Sequence, residues 1–225
     1  MGQMINFDSG DDHYDGYLAI PESGKGPGVI VLQEWWGLVG HIKNVADRFA
    51  KAGFVALAPD LYQGKQTTEP DEAGSLLMAL DIERTSEVLA RAAQWLVEND
   101  AVNTHQVGVV GFCMGGQLSM FAACLTDHIG AAVNFYGIHP NVKPNFKELN
   151  APLLGIFALQ DHSYATPETI KKMDEELTKL GKPHEFHEYD ADHAFFNDDR
   201  PEVYNKAAAE DAWTKTIDFL KKNLK

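Results

Sequence analysis

Gly111-Phe112-Cys113-Met114-Gly115 stands directly after an apolar, strand-like run and directly before a helix-like one. A nucleophile on a sharp strand-to-helix turn needs small flanking residues, because the turn strains the backbone at its middle position. Gly111 and Gly115 supply them, and Gly116 allows close helix approach. The middle residue is Cys113. Such a turn aims its sulfur over the sheet at the positive end of a helix, where a thiolate is favoured relative to the free-thiol value of about 8.5. The backbone N–H of Met114 then points to where an oxyanion would form. The bland alternative is a buried, inert cysteine. It fits Cys124, in Phe121-Ala122-Ala123-Cys124-Leu125, better than Cys113.

A nucleophile at such a turn calls for an acid and then a histidine, in that chain order. Asp161 follows the apolar run Leu153–Ala158, and His193 follows the run Glu185–Tyr189. A histidine there takes the proton from the thiol or from attacking water, and a carboxylate on its far nitrogen fixes the tautomer. Asp192 is the competing support for His193, but adjacent side chains rarely meet ring to carboxylate, which favours Asp161. A fourth reactive place is Gln33-Glu34-Trp35-Trp36-Gly37, after the run Val29–Leu32. Its backbone is expected to give the second oxyanion donor, from Trp35, and Glu34 between Gln33 and two tryptophans reads as an acid in a partly dry pocket.

The elements that must position these residues alternate between strands and helices. Val29–Leu32, Phe54–Leu57, Val107–Phe112, Ala131–Phe135, Leu153–Ala158 and Glu185–Tyr189 read as strands. The helices expected between and after them cover His41–Ala52, roughly Ser75–Glu98, Gly115–Leu125, a segment opened by Thr166-Pro167 and stopped by Gly181, and Pro201–Asn223. The polar stretch Gln63–Gly74 reads as a surface loop. Met4–Phe7 and Tyr14–Ile20 read as an antiparallel hairpin whose turn is Asp8–Asp12. That acidic turn lacks the ligand spacing of a calcium loop. Alternation of this kind implies right-handed crossovers and a mostly parallel sheet covered on both faces, with the active site at the carboxyl ends of its strands. No linker or repeat divides residues 1–225, so a single domain is expected.

Six segments together resemble the dienelactone hydrolase family, a branch of the α/β-hydrolase superfamily. They are Gln33-Glu34 with Gly37, Ala58-Pro59-Asp60-Leu61-Tyr62, Gly111 to Gly116, Asn134-Phe135-Tyr136-Gly137, Asp161-His162 and His193-Ala194-Phe195. They occur in family order and span nearly the whole chain. The resemblance implies an α/β-hydrolase fold, a cofactor-free and metal-free Cys113–Asp161–His193 triad, and hydrolysis of lactones or activated esters through a thioester. It also implies that the resting thiol pairs with Glu34, which substrate binding swings toward the sulfur. Trp36, Tyr136 and Arg200 are the expected substrate-binding residues. The resemblance stops at the arginine pair with which these enzymes hold a substrate carboxylate: here Lys65 is the sole basic residue between Tyr62 and Arg84, and Asn197 follows His193-Ala194-Phe195-Phe196. One lysine does not replace an arginine fork.

The thiol itself narrows the chemistry. A thiolate leaves a tetrahedral intermediate easily, so the other group must depart more easily still, as an enolate does and an amide nitrogen does not unless protonated. Enol esters and lactones therefore rank above peptides. A thioesterase or acyltransferase on the same scaffold is an alternative, and a non-catalytic ligand-binding or thiol-sensing protein is another.

Composition closes off other classes. Nineteen Lys and Arg against 33 Asp and Glu give a formal charge of −14, a field that repels nucleic-acid backbones and anionic lipid. The uncharged stretch Val107–Thr126 is long enough to span a membrane, but four glycines, Gln117 and Ser119 interrupt it. Two cysteines build no disulfide framework, and the first eight residues have neither a basic start nor an apolar run. A cytoplasmic protein acting on a small molecule, expected to be monomeric, fits all of this. His184, His187, Asp190, Asp192 and His193 crowd together, yet His184 and His187 lie an odd number of residues apart on one strand and point opposite ways. Lys25, in Gly24-Lys25-Gly26-Pro27-Gly28, has neither the spacing nor the Ser or Thr of a phosphate loop.

Overall fold

The computed structural model describes residues 2–7 and 13–225; the expected turn Asp8–Asp12 lies outside them. The strands are β1 (Gln3–Asn6), β2 (Asp15–Ala19), β3 (Gly28–Leu32), β4 (Val55–Pro59), β5 (Val107–Phe112), β6 (Ile129–Phe135), β7 (Leu153–Ala158) and β8 (His184–Tyr189). The helices are α1 (Gly40–Lys51), α2 (Pro70–Met78), α3 (Ile82–Glu98), α4 (Met114–Leu125), α5 (Pro167–Lys179) and α6 (Lys206–Asn223). One sheet joins all eight strands in the order β1-β2-β4-β3-β5-β6-β7-β8. β1 and β2 pair antiparallel, β2 meets β4 antiparallel, and the remaining pairings are parallel.

Every residue of β3 through β7 is buried, as parallel strands covered on both faces must be. Alternation along each strand sends neighbours to opposite layers. Ile30, Leu32, Val107 and Val109 join the core beneath α3, α4 and α5. Val29, Val31, Val110 and Phe112 join the core beneath α1 and α6. At roughly 1.5–3 kcal/mol for each fully buried Val, Leu, Ile or Phe, these two layers are what holds the sheet. The chain leaves β3 to one side for β4 and returns to its other side for β5. That reversal opens a crevice beyond the carboxyl ends of β3 and β5.

Three helix boundaries differ from the sequence expectation. The helix expected over Ser75–Glu98 is two helices, because Asp81 accepts a bond from the Arg84 N–H and caps a new start. Pro70 at the first position of α2 begins a helix inside the stretch expected to be a loop. The last helix begins at Lys206 rather than at Pro201, where the Asn205 side chain accepts from the Ala208 N–H. Thr166 caps α5 with Pro167 behind it, as the sequence indicates. Val107–Thr126 is a strand followed by a helix, and no helix among the described residues is long and apolar enough to cross a membrane.

Candidate active site

The turn between β5 and α4 is tightly constrained. Cys113 has φ 53° and ψ −120°, a conformation that residues with a Cβ rarely adopt. A Cβ on Gly111 would lie 1.8 Å from the Gly115 carbonyl oxygen, and one on Gly115 would lie 2.6 Å from the carbonyl oxygens of Leu32 and Gln33. The flanking glycines are therefore obligatory, and the second seats the turn against the end of β3. The Cys113 N–H donates to the Phe135 carbonyl at 3.0 Å, which ties the turn to β6. Met114 begins α4, and the first N–H groups of a helix have no partner within it.

β7 and β8 bring the acid and the base together. The Leu159 N–H donates to the Tyr189 carbonyl at 2.9 Å and the Gln160 N–H to the Ala191 carbonyl at 3.1 Å. Just beyond this stitching, His193 Nδ1 lies 2.6 Å from Asp161 Oδ2. Asp161 is buried, and its other oxygen accepts from the Ser163 N–H at 2.9 Å and the Ser163 hydroxyl at 2.5 Å. Burial works against ionisation of Asp161, but the His193 and Ser163 bonds outweigh it and hold the carboxyl below its ordinary value. An ionised carboxylate only accepts, so Nδ1 carries the proton and Nε2 is left for the sulfur side. The Cys113 sulfur is the other group close enough to act on the His193 imidazole. Burial disfavours the imidazolium, yet the adjacent Cys113 sulfur and the Asp161 carboxylate lift His193 to about 10. Asp192 and His162 are exposed on the rim.

Cys113, His193 and Asp161 line a cavity of about 380 Å³, walled by Trp35, Trp36, Leu77, Ile138 and Val203 and by Glu34 and Arg200. The Trp35 and Trp36 rings stand edge-on at 5.0 Å. Arg200 Nε donates to Glu202 at 2.8 Å, and its guanidinium lies 5.8 Å from the Trp36 ring. A second cavity of similar size, about 390 Å³ beside Gly2 and Asp47, is lined by neither cysteine nor histidine, so chemistry and not volume distinguishes the site.

Glu34 is 1% exposed, and burial pushes its carboxyl above the ordinary value of 4.5, with His41, His193, Asn197 and Arg200 pulling back. Its Oε2 accepts from Asn197 Nδ2 at 2.7 Å, while Oε1 has no hydrogen-bond partner among the described residues. This differs from the expected resting pair: the thiol faces His193 and the carboxyl is held by Asn197. Tyr136 also differs from expectation. It is fully buried with its ring 5.1 Å from that of His193, beneath the base rather than on the cavity wall. The Tyr136 N–H bonds to the Ile156 carbonyl at 2.7 Å, which turns the ring into the core. Burial, followed by the neighbouring Glu34 and Cys113, raises its phenol.

Three contributors were not assigned roles from sequence. Tyr62 donates to Met114 Sδ at 3.2 Å, and its phenol is raised by burial and by Cys113 nearby, so it packs against the elbow. Ser163 anchors Asp161, and its nearness in sequence to Asp161 is the cue that could have found it. Asn197 anchors Glu34 from 163 positions away, and nothing local announces that. The crowded histidines of β8 have separate partners: His184 meets Asp174 at 3.1 Å and His187 meets Glu185 at 2.6 Å.

A mostly parallel sheet with a strained strand-to-helix elbow, and an acid and histidine delivered by the next strands in order, defines an α/β-hydrolase. The model of the dienelactone hydrolase family matches residues 14–224. The chain is 38% identical to Protein usf of Aquifex pyrophilus, over 100% of both chains. It is 34% identical to a protein of Aquifex aeolicus provisionally named a carboxymethylenebutenolidase, again over 100% of both. A provisionally named dienelactone hydrolase from Klebsiella pneumoniae has a solved structure that superposes with a TM-score of 0.87 at 28% identity, covering 98% of each chain. The chain belongs to the dienelactone hydrolase family and is a hydrolase of carboxylic esters.

Proposed function

We propose that the protein hydrolyses lactones or activated esters of small apolar acids through a thioester on Cys113. The observation behind this reading is the 2.6 Å contact of His193 with Asp161 beside a cysteine held at positive φ on the cavity floor. An imidazolium next to the sulfur is the charge partner of an attacking thiolate. The thiolate adds to the carbonyl carbon, and the oxyanion is held by the backbone N–H groups of Met114 and Trp35. Collapse breaks the bond to the leaving oxygen, which takes the proton from His193. Water then adds to the thioester as the now neutral His193 removes its proton, and the thiolate departs with the acid as product.

Trp35, Trp36, Leu77, Ile138 and Val203 favour an apolar acyl group, and about 380 Å³ suits a small molecule. Arg200, already paired with Glu202, reaches the same wall and would meet a polar end of the substrate. Both cysteines are unpaired, which supports a reducing, cytoplasmic setting. The test is to mix the protein with a p-nitrophenyl ester and record mass and burst. The expected result is one acyl group on the Cys113 peptide and a burst that Cys113→Ala abolishes. Equal turnover by wild type and Cys113→Ala would overturn the reading.

A further inference from the structure

Beyond the Trp36 and Arg200 wall of the catalytic cavity lies another, of about 420 Å³, lined by His41, Asp199 and Glu202. We propose that His41, Asp198 and Asp199 form a binding site there for a first-row divalent cation, manganese or zinc. His41, on the first turn of α1, is 2% exposed, and neither ring nitrogen has a hydrogen-bond partner among the described residues. Both nitrogens are normally satisfied when an imidazole is buried. Asp198 Oδ1 lies 3.3 Å from Nδ1 without forming a hydrogen bond to it.

One ligand atom from each of His41, Asp198 and Asp199 lies within 4.8 Å of the others. An ion that binds N and O at about 2.0–2.2 Å holds its ligand atoms roughly 3–4 Å apart. The two aspartates are exposed, so small rotations close the remaining distance, while the buried imidazole supplies the fixed ligand. One imidazole and two carboxylates suit manganese or zinc better than calcium or magnesium, which take all-oxygen shells. Two carboxylates give the site net negative charge. Arg48 lies near Asp198 and offsets part of it, whereas Arg200 is engaged by Glu202. The overall charge of −14 favours cations over the whole surface.

The site joins α1 to the segment that follows His193. The Asp199 N–H donates to Asn197 Oδ1 at 3.1 Å, and the same asparagine holds Glu34. A bound ion would pin that segment without touching the reacting atoms. These three residues are positioning residues in this scheme.

The experiment is isothermal titration of tag-free, chelator-stripped full-length protein with MnCl₂, because manganese has little affinity for the Cys113 sulfur. Melting curves with and without the ion accompany it. The expected result is one site per chain with Kd below about 100 µM, a higher Tm with the ion, and no comparable effect of MgCl₂. Both His41→Gln and Asp199→Asn should weaken binding at least about tenfold. Asp199 is exposed, so its variant folds even where His41→Gln does not. Wild type that binds no tighter than about 1 mM, or a folded variant that binds within about twofold of wild type, would overturn the assignment.

Discussion

Replacement of Asn197 by alanine removes the amide that donates to Glu34 Oε2 at 2.7 Å, and Oε1 already lacks a partner. Glu34 is 1% exposed, so bulk water offers its carboxyl little compensation. Loss of a bond to a buried carboxyl costs roughly 1–3 kcal/mol. For a domain of this size about 2 kcal/mol lowers Tm by roughly 4–8 °C. The cost also depends on pH, with a definite sign. Burial raises the folded-state pKa of Glu34 above 4.5, and the Asn197 bond pulls it back down. A raised folded value means the folded state binds the proton more tightly, so stability is greatest below the unfolded value and falls as pH climbs toward the folded one. Without Asn197 the folded value rises further, and the fall extends over a wider range. The deficit of Asn197→Ala should therefore be larger at pH 8 than at pH 4.5. Glu34→Gln, neutral throughout, should abolish that difference. His193, lifted to about 10, loses its own stabilising contribution between the unfolded value near 6.5 and pH 10, but in both proteins alike. Urea unfolding of the two single variants, the double variant and wild type at both pH values measures all of this. A deficit equal at the two pH values, and unaltered when Glu34→Gln is the background, would show that the amide holds nothing ionisable, and the reasoning would fail.

Two further outcomes follow from the elbow and the dyad. With an alkyl ester, whose leaving oxygen needs a proton, acylation by wild type should decline as His193 deprotonates near pH 10. Asp161→Asn should move that alkaline limb to lower pH because the carboxylate no longer supports the imidazolium, and an unmoved limb in stopped-flow traces would contradict the assigned pair. Gly111→Ala would place a Cβ 1.8 Å from the Gly115 carbonyl oxygen, so the elbow cannot close and activity should fall at least about a hundredfold. Gly40→Ala, which meets nothing within 4 Å, should leave activity unchanged, and full activity in Gly111→Ala would refute the steric account.

Much of the architecture was legible because parallel strands buried on both faces read as short apolar runs, and α/β alternation follows from them. The runs Val107–Phe112 and Leu153–Ala158 have the same bounds in sequence and structure, and the run ending at Leu32 starts one residue earlier in the structure, at Gly28. The break at Ala79–Asp81 was hidden by apolar periodicity that continues across it, although Asp81 is an ordinary capping residue. Cys113, Asp161 and His193 could be singled out as candidates because each lies within four residues of a strand's carboxyl end, and strand ends of a parallel sheet converge on one edge. Glu34 follows a strand too. Its partner, however, comes from a loop after β8 whose path depends on how α6 packs, and residues 34 and 197 share no local pattern.

Backbone strain marks the same division. Among the described residues four without glycine's freedom have positive φ: Gln63, Cys113, Tyr136 and Ala194. Three of them, Cys113, Tyr136 and Ala194, lie at or beside the candidate site, at a cost of order 1–3 kcal/mol each. Cys113 was readable because its strain demands small neighbours, and glycines at 111 and 115 are visible in the sequence. Tyr136 and Ala194 are marked less plainly, each by an asparagine two or three residues away, at 134 and 197. Asn134 accepts from the Gly137 N–H at 2.7 Å and donates to the Gly137 carbonyl at 3.0 Å, which clamps the turn at Tyr136. The Asn197 N–H donates to the Ala194 carbonyl at 2.9 Å, and the Asn205 N–H to the Phe195 carbonyl at 3.0 Å, which clamps the turn at Ala194. Asn197 thus fixes the turn after the base with its backbone and the buried acid with its side chain. A position that serves both ends of the site shows in the sequence only as one polar residue after two phenylalanines.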